Sequence, residues 1–133
     1  MKYFLLPFVA WVVSGTLKFF INALRQKSFR DAKKLIGYGG LPSTHTTIIS
    51  SAVVFYGFSE SFFTPIFTLG LAVLMLFIMD AHTLRRKVGE HAEILNQLQD
   101  KKVLRERMGH TKLEITCGLI LGVILGFIFA NWL

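Results

Sequence analysis

Three uninterrupted apolar blocks dominate this chain and place it in a membrane. Tyr3 to Leu24 carries a single charge, Lys18; Phe62 to Met79 carries none; Leu113 to Leu133 carries only Glu114, near its start. Each approaches or exceeds the ~18–20 apolar residues that a helix needs to cross the hydrocarbon core. A lipid-exposed segment must satisfy its own backbone N–H and C=O groups, so such blocks become helices. A fourth block, Thr46 to Phe58, is shorter and reaches spanning length only if its helix starts near Pro42. The expected fold is all-α and integral to the membrane, a single domain over 1–133 with transmembrane helices at about 2–24, 42–58, 62–80 and 112–133.

The charges supply an orientation. The chain has 15 Lys and Arg against 8 Asp and Glu, and 13 of the 15 lie in two segments. Arg25, Lys27, Arg30, Lys33 and Lys34 sit between the first two blocks; Arg85, Arg86, Lys87, Lys101, Lys102, Arg105, Arg107 and Lys112 sit between the last two. The turn Ser59-Glu60-Ser61 has no basic residue. Both basic loops are therefore expected on the cytoplasmic side of a multi-pass protein of the inner (cytoplasmic) membrane, with both termini facing outward. Membrane loops account for the net charge of +7, and no nucleic-acid partner is needed. Lys2 before an apolar run resembles the start of a signal peptide, but the run is long and no clear Ala-x-Ala site follows, so the first block is expected to remain. Cys117, the one cysteine, sits in an apolar block, which leaves no intramolecular disulfide and no cysteine-based zinc site.

Two short segments carry the chemistry. Gly39-Gly40-Leu41-Pro42-Ser43-Thr44-His45 reads as a glycine loop feeding a helix start. Pro42 suits a first helical turn, Ser43 or Thr44 can cap, and the free N–H groups and positive dipole of such an end attract phosphate. Gly109-His110-Thr111-Lys112-Leu113-Glu114 breaks and restarts a helix, with His110 and Glu114 four apart on one face. Between Arg86 and Arg107, Val88, Ala92, Leu95, Leu98 and Leu104 recur at helical spacing among charged residues. That pattern predicts an amphipathic helix at about 86–107, in the membrane interface or beneath the bundle. Asp80 is placed to pair with Arg85 or Arg86. Gly118, Gly122 and Gly126 recur every four residues, a close-packing stripe on the last helix.

On this topology Lys18, Arg25, His45, Arg85, Arg86, His110 and Glu114 share the cytoplasmic ends of the helices. From about Lys18 to Gly122, the chain resembles the type-2 phosphatidic acid phosphatase and vanadium haloperoxidase superfamily, and more closely its short, divergent bacterial branch. The nearest stretches are Gly-Gly-Leu-Pro-Ser-Thr-His, Asp-Ala-His-Thr-Leu-Arg-Arg, Ala-Glu-Ile-Leu-Asn and Leu-Arg-Glu-Arg-Met-Gly-His-Thr. The superfamily's Lys and Arg, with six residues between them, match Lys18 and Arg25, with Gln26 where Pro is usual. Its Pro-Ser-Gly-His matches Pro42-Ser43-Thr44-His45, with Thr for Gly. In its last motif His110 and Glu114 match the His and the acid, with Glu for Asp. The Ser-Arg of that motif has no match: its Arg position is Leu104, and Arg105 lies one residue away. Arg85 or Arg86 is the expected substitute.

The resemblance implies a metal-independent phosphatase without a cofactor. His110 would attack phosphorus and form a phosphohistidine, Glu114 would orient its ring, and His45 would protonate the leaving oxygen. Lys18, Arg25 and Arg85 or Arg86 would hold the phosphate oxygens, with backbone N–H groups near Ser43 and Thr44. The substrate would be a membrane lipid phosphate, such as phosphatidic acid or a polyprenyl phosphate or pyrophosphate. The helices are fewer than in the superfamily's larger members, so a homodimer would complete the bundle. Other readings are a non-catalytic lipid-phosphate binder or carrier, and a small structural membrane protein. A zinc site from His45, His82, His91 and His110 lacks ligand spacing.

Overall fold

The computed structural model describes residues 2–27, 30, 40–99 and 102–132. Lys33 and Lys34 of the first basic loop, Gly39 of the glycine motif, Lys101 and Leu133 lie outside the described residues. The described residues form five helices: α1 (Lys2–Gln26), α2 (Thr44–Ser59), α3 (Pro65–His82), α4 (Leu84–Leu98) and α5 (Lys112–Trp132). The chain is an all-α integral membrane protein. Three stretches are long and apolar enough to cross a membrane: Lys2–Gln26, Lys112–Trp132, and Pro65–Leu98, which joins α3 to α4 through Thr83.

The 16 residues of α2 reach about 24 Å at the α-helical rise, short of a ~30 Å hydrocarbon core. The helix starts two residues after Pro42. Ser43 is extended (φ −69°, ψ 109°) and ends the loop, so the helix begins at Thr44. This short helix is the centre of the bundle and packs on α1, α3 and α5.

Lipid tails are as apolar as leucine, so burial alone does not drive these helices together; close van der Waals packing does. The stripe Gly118, Gly122 and Gly126 supplies it. A Cβ on Gly118 would stand 2.6 Å from the Ser43 carbonyl oxygen, and one on Gly126 would stand 2.6 Å from that of Ser51. Across from the glycines α2 presents Thr46, Thr47, Ser50 and Ser51, all buried. Their hydroxyls are satisfied locally: Thr47 Oγ1 donates to the Ser43 carbonyl at 2.9 Å, Ser50 Oγ to that of Thr46 at 2.6 Å and Ser51 Oγ to that of Ile48 at 2.9 Å. The seam is therefore small and internally bonded. At the far end, Leu6, Phe55 and Phe129 form the apolar core.

The amphipathic helix is shorter than its periodicity suggested. It ends at Leu98 instead of continuing to Arg107, and 102–111 is not helical. Asn96, 4% exposed, is the physical reason. Its Oδ1 accepts the N–H groups of Val103 (3.1 Å) and Leu104 (2.9 Å). Its Nδ2 donates to the Leu104 carbonyl (2.8 Å) and to Glu106 Oε1 (2.9 Å). One side chain thus takes over the bonds that a continued helix would have made and straps 103–106 against α4. Gly89, two turns further back on the same face, lets the Glu106 carbonyl pass directly over it.

Candidate functional site

The strap delivers His110 to one end of the bundle. Gly109 turns it with φ +80°, a left-handed conformation that glycine adopts without steric cost. A Cβ there would also stand 2.8 Å from both the Ala81 carbonyl oxygen and the Arg86 Cγ. The His110 N–H then donates to the Ala81 carbonyl at 3.0 Å, fixing the turn to the end of α3.

The α5 start is built around the same residue. Thr111 N–H donates to Glu114 Oε2 at 2.9 Å, and Glu114 N–H donates back to Thr111 Oγ1 at 3.3 Å. This is a capping box, in which two orphan N–H groups of a helix start are satisfied reciprocally. The Thr-x-x-Glu spacing was open to view in the sequence and went unused there. Glu114 Oε2 also lies 3.2 Å from His110 Nδ1. His110 is 8% exposed and Glu114 9%, so the pair is shielded from water. With a carboxylate as acceptor, Nδ1 carries the ring proton and Nε2 keeps its lone pair. Burial pushes the His110 pKa below the ordinary histidine value; the bond to Glu114 opposes this, and Lys18 and Arg85 add to it.

The other expected residues divide into those that meet this pair and those that do not. Lys18, half-buried on α1, acts electrostatically on both His110 and Glu114. His45, in the first turn of α2, is exposed at the rim and feels Arg85, His110, Lys18 and Asp80. Arg85 is the arginine that acts on both histidines. Its Nε donates to Asp80 Oδ2 at 2.6 Å. Both partners are about one-third exposed, so this ion pair fixes position more than it stabilises. Arg86 is exposed and packs its stem on the Gly109 turn. Arg25 is exposed at the end of α1, and among the described residues no hydrogen bond or ion pair ties it to the cluster.

Ser43 differs from expectation, whereas the N–H of Thr44 stays available. Ser43 is fully buried and its N–H already donates to the Glu114 carbonyl at 2.9 Å. Its Oγ accepts from Thr46 Oγ1 at 2.9 Å. It therefore ties α2 to α5 behind the histidine pair. No side chain caps the first turn of α2, which leaves the N–H groups beginning at Thr44 for an anion. Gly40 lies over α1 with Asn22 and Lys18 as its nearest neighbours, at 3.7 and 3.8 Å from a Cβ position. Asn22, buried one turn beyond Lys18, is a polar residue that the motifs did not reveal.

The position of the missing arginine, Leu104, sits in the strap and is 43% exposed. Arg105 Nε donates to the Arg107 carbonyl at 3.3 Å, within the strap. Among the described residues no three His, Cys, Asp or Glu gather as metal ligands. What converges is a buried histidine–carboxylate pair, a second histidine at the rim, two cations and an uncapped helix start. Such an arrangement can bind a phosphate group and present an imidazole nitrogen to it.

No solved structure matches the chain. The chain is 22% identical to an uncharacterized membrane protein, YuiD, of Bacillus subtilis (strain 168), across 69% of this chain and 71% of that one. The profile of the family described as "Divergent PAP2 family" matches residues 1–125, which contain every residue of the site from Lys18 to Glu114. The chain belongs to the divergent PAP2 family.

Proposed function

We propose that the protein is a metal-independent lipid phosphatase that works through a phosphohistidine. The observation that carries this reading is the buried His110–Glu114 pair, whose geometry leaves Nε2 as the nucleophilic nitrogen. In the proposed first step Nε2 attacks phosphorus and the bond to the leaving oxygen breaks. His45 gives that oxygen its proton. Glu114 stabilises the imidazolium that develops as the N–P bond forms, as the acid of a triad does. Lys18, Arg85 and the first N–H groups of α2 face the phosphoryl oxygens and stabilise their charge, which is most of what such a reaction asks of a protein. Water then attacks phosphorus, His45 accepts its proton, and His110 is released with inorganic phosphate.

The substrate in this reading is a lipid phosphate or pyrophosphate whose tail stays in the bilayer. The site lies at the end of the bundle that carries the basic segments, so it faces the cytoplasm at the inner membrane. The membrane lipid is both solvent and substrate source, and a homodimer is the proposed assembly.

The test is phosphate release by purified protein in detergent with EDTA. Phosphatidic acid, a polyprenyl phosphate and a polyprenyl pyrophosphate are offered in turn, with His110→Ala alongside. Release that disappears in the variant supports the phosphatase and names its substrate class. A folded protein that releases nothing overturns it.

One observation favours a second reading, a lipid-phosphate binder or carrier. Leu104 stands where the superfamily has an arginine, and Arg85, the expected substitute, is already paired with Asp80. A binder retains lipid-phosphate affinity after His110→Ala and shows no turnover.

A further inference from the structure

We infer that α4 and the strap it holds form a seat on an anionic bilayer surface. The helix has two faces that do different work. Gly89, Ala92 and Asn96 are buried and hold the strap. Leu84, Val88, Ile94, Leu95 and Leu98 are 43–78% exposed and touch no other helix closely enough to be covered. At 100° per residue these five span an arc of roughly 120°, into which the exposed Lys87 and His91 also fall, the width of a face that rests on an apolar layer. A coiled-coil seam with a second copy is narrower. It also needs both flanks open, whereas the Gly89–Asn96 flank is closed here by the strap.

Three further observations select the bilayer. First, α4 follows the spanning helix α3 after the single residue Thr83, so it begins at the membrane surface. Second, the strap adds Val103, 71% exposed, to the apolar surface beside the helix. Third, residues 84–112 hold eight basic and four acidic residues, a net of +4. Two copies brought together would repel, whereas anionic headgroups attract such a segment and its Lys and Arg stems lie along the apolar boundary. An amphipathic helix of this composition lies in the interface plane with its apolar face among the acyl chains. The seat does not depend on turnover. The same strap carries His110, so the seat also sets the height of the site relative to the lipid headgroups.

The test uses the full chain in a Cys117→Ser background, reconstituted in phosphatidylcholine vesicles and in equal parts of phosphatidylcholine and phosphatidylglycerol. A nitroxide is placed at Leu95→Cys, or at Glu93→Cys on the polar face. Collision with oxygen and with a water-soluble nickel chelate is measured for each. The expected result is a Leu95 label that meets oxygen and is shielded from nickel, a Glu93 label with the reverse pattern, and a deeper Leu95 label in the anionic vesicles. Equal nickel access at both positions overturns the seat. Spin–spin broadening at Leu95 assigns the face to a second copy and overturns it too. Equal depth in the two vesicle types overturns the anionic assignment.

Discussion

His110 Nδ1 and Glu114 Oε2 lie 3.2 Å apart, and that same oxygen accepts the Thr111 N–H at 2.9 Å. Glu114 therefore has two separable duties, capping the start of a helix and orienting a histidine whose developing charge it can stabilise. Glu114→Gln separates them. The amide oxygen still accepts from Thr111, so the helix start is kept, but the negative charge that stabilises an imidazolium is gone. Phosphate release is expected to fall about 10²–10⁴-fold with little change in melting temperature. Glu114→Ala loses the cap as well and is expected to cost about 1 kcal/mol of stability in addition. Equal activity of Glu114→Gln and wild type would remove Glu114 from the chemistry.

The histidine also sets a pH dependence. Burial holds the His110 pKa below its ordinary value of 6.5, so the ring is neutral and nucleophilic through the physiological range. The acid limb of the rate profile is therefore expected below pH 6.5. Stability follows the same sign. Below 6.5 the unfolded chain takes up a proton that the folded chain refuses, so stability declines as pH falls until the folded pKa is reached. Above 6.5 the ring is neutral in both states and contributes nothing. Thermal melts of wild type and His110→Gln against pH check this: the offset between the two curves should be constant above 6.5 and change below it.

Much of this was legible from the sequence, and the remainder was hidden for definable reasons. The long apolar blocks placed α1, α3 and α5 to within a few residues, because a membrane leaves them one secondary structure. The glycine stripe of α5 was read as a packing face, and it is one. The strap was invisible. Val88, Ala92, Leu95 and Leu98 keep helical spacing, but the bonds that end the helix belong to Asn96, and periodicity carries no record of a tertiary hydrogen bond. Ser43 looked like a phosphate ligand because its motif matched. Its N–H turned out to bond to Glu114, which only the approach of α2 to α5 could reveal.

Asn96 makes the strap testable. Asn96→Ala removes four bonds at once and leaves the N–H groups of Val103 and Leu104 without their acceptor. The strap lies at the surface and water can replace part of the loss, so a destabilisation of about 2 kcal/mol is expected. Because His110 hangs from the strap, phosphate release should fall more than the folded fraction does. Asn96→Asp keeps the acceptor and loses the donor, so it should lie between wild type and Ala. A variant with wild-type melting and wild-type release would show that the strap is held by other contacts.

The α2–α5 seam can be tested with two alanine substitutions that differ only in their surroundings. A Cβ at Gly118 would stand 2.6 Å from the Ser43 carbonyl and 3.2 Å from Thr46 Cβ, with rigid backbone on the near side. Gly118→Ala must push α2 away from α5, at an expected cost of about 1–3 kcal/mol. The same shift stretches the Ser43 N–H bond to the Glu114 carbonyl and moves the first turn of α2, with His45, away from His110. Gly15 in α1 has nothing within 4 Å of its Cβ position, so Gly15→Ala should only gain helix propensity, within about 1 kcal/mol of wild type. Melting temperatures and lipid-phosphate binding of the two variants, measured side by side, should differ in both quantities. A Gly118→Ala protein as stable as Gly15→Ala, with unchanged binding, would mean that the anion end of α2 does not depend on its close approach to α5.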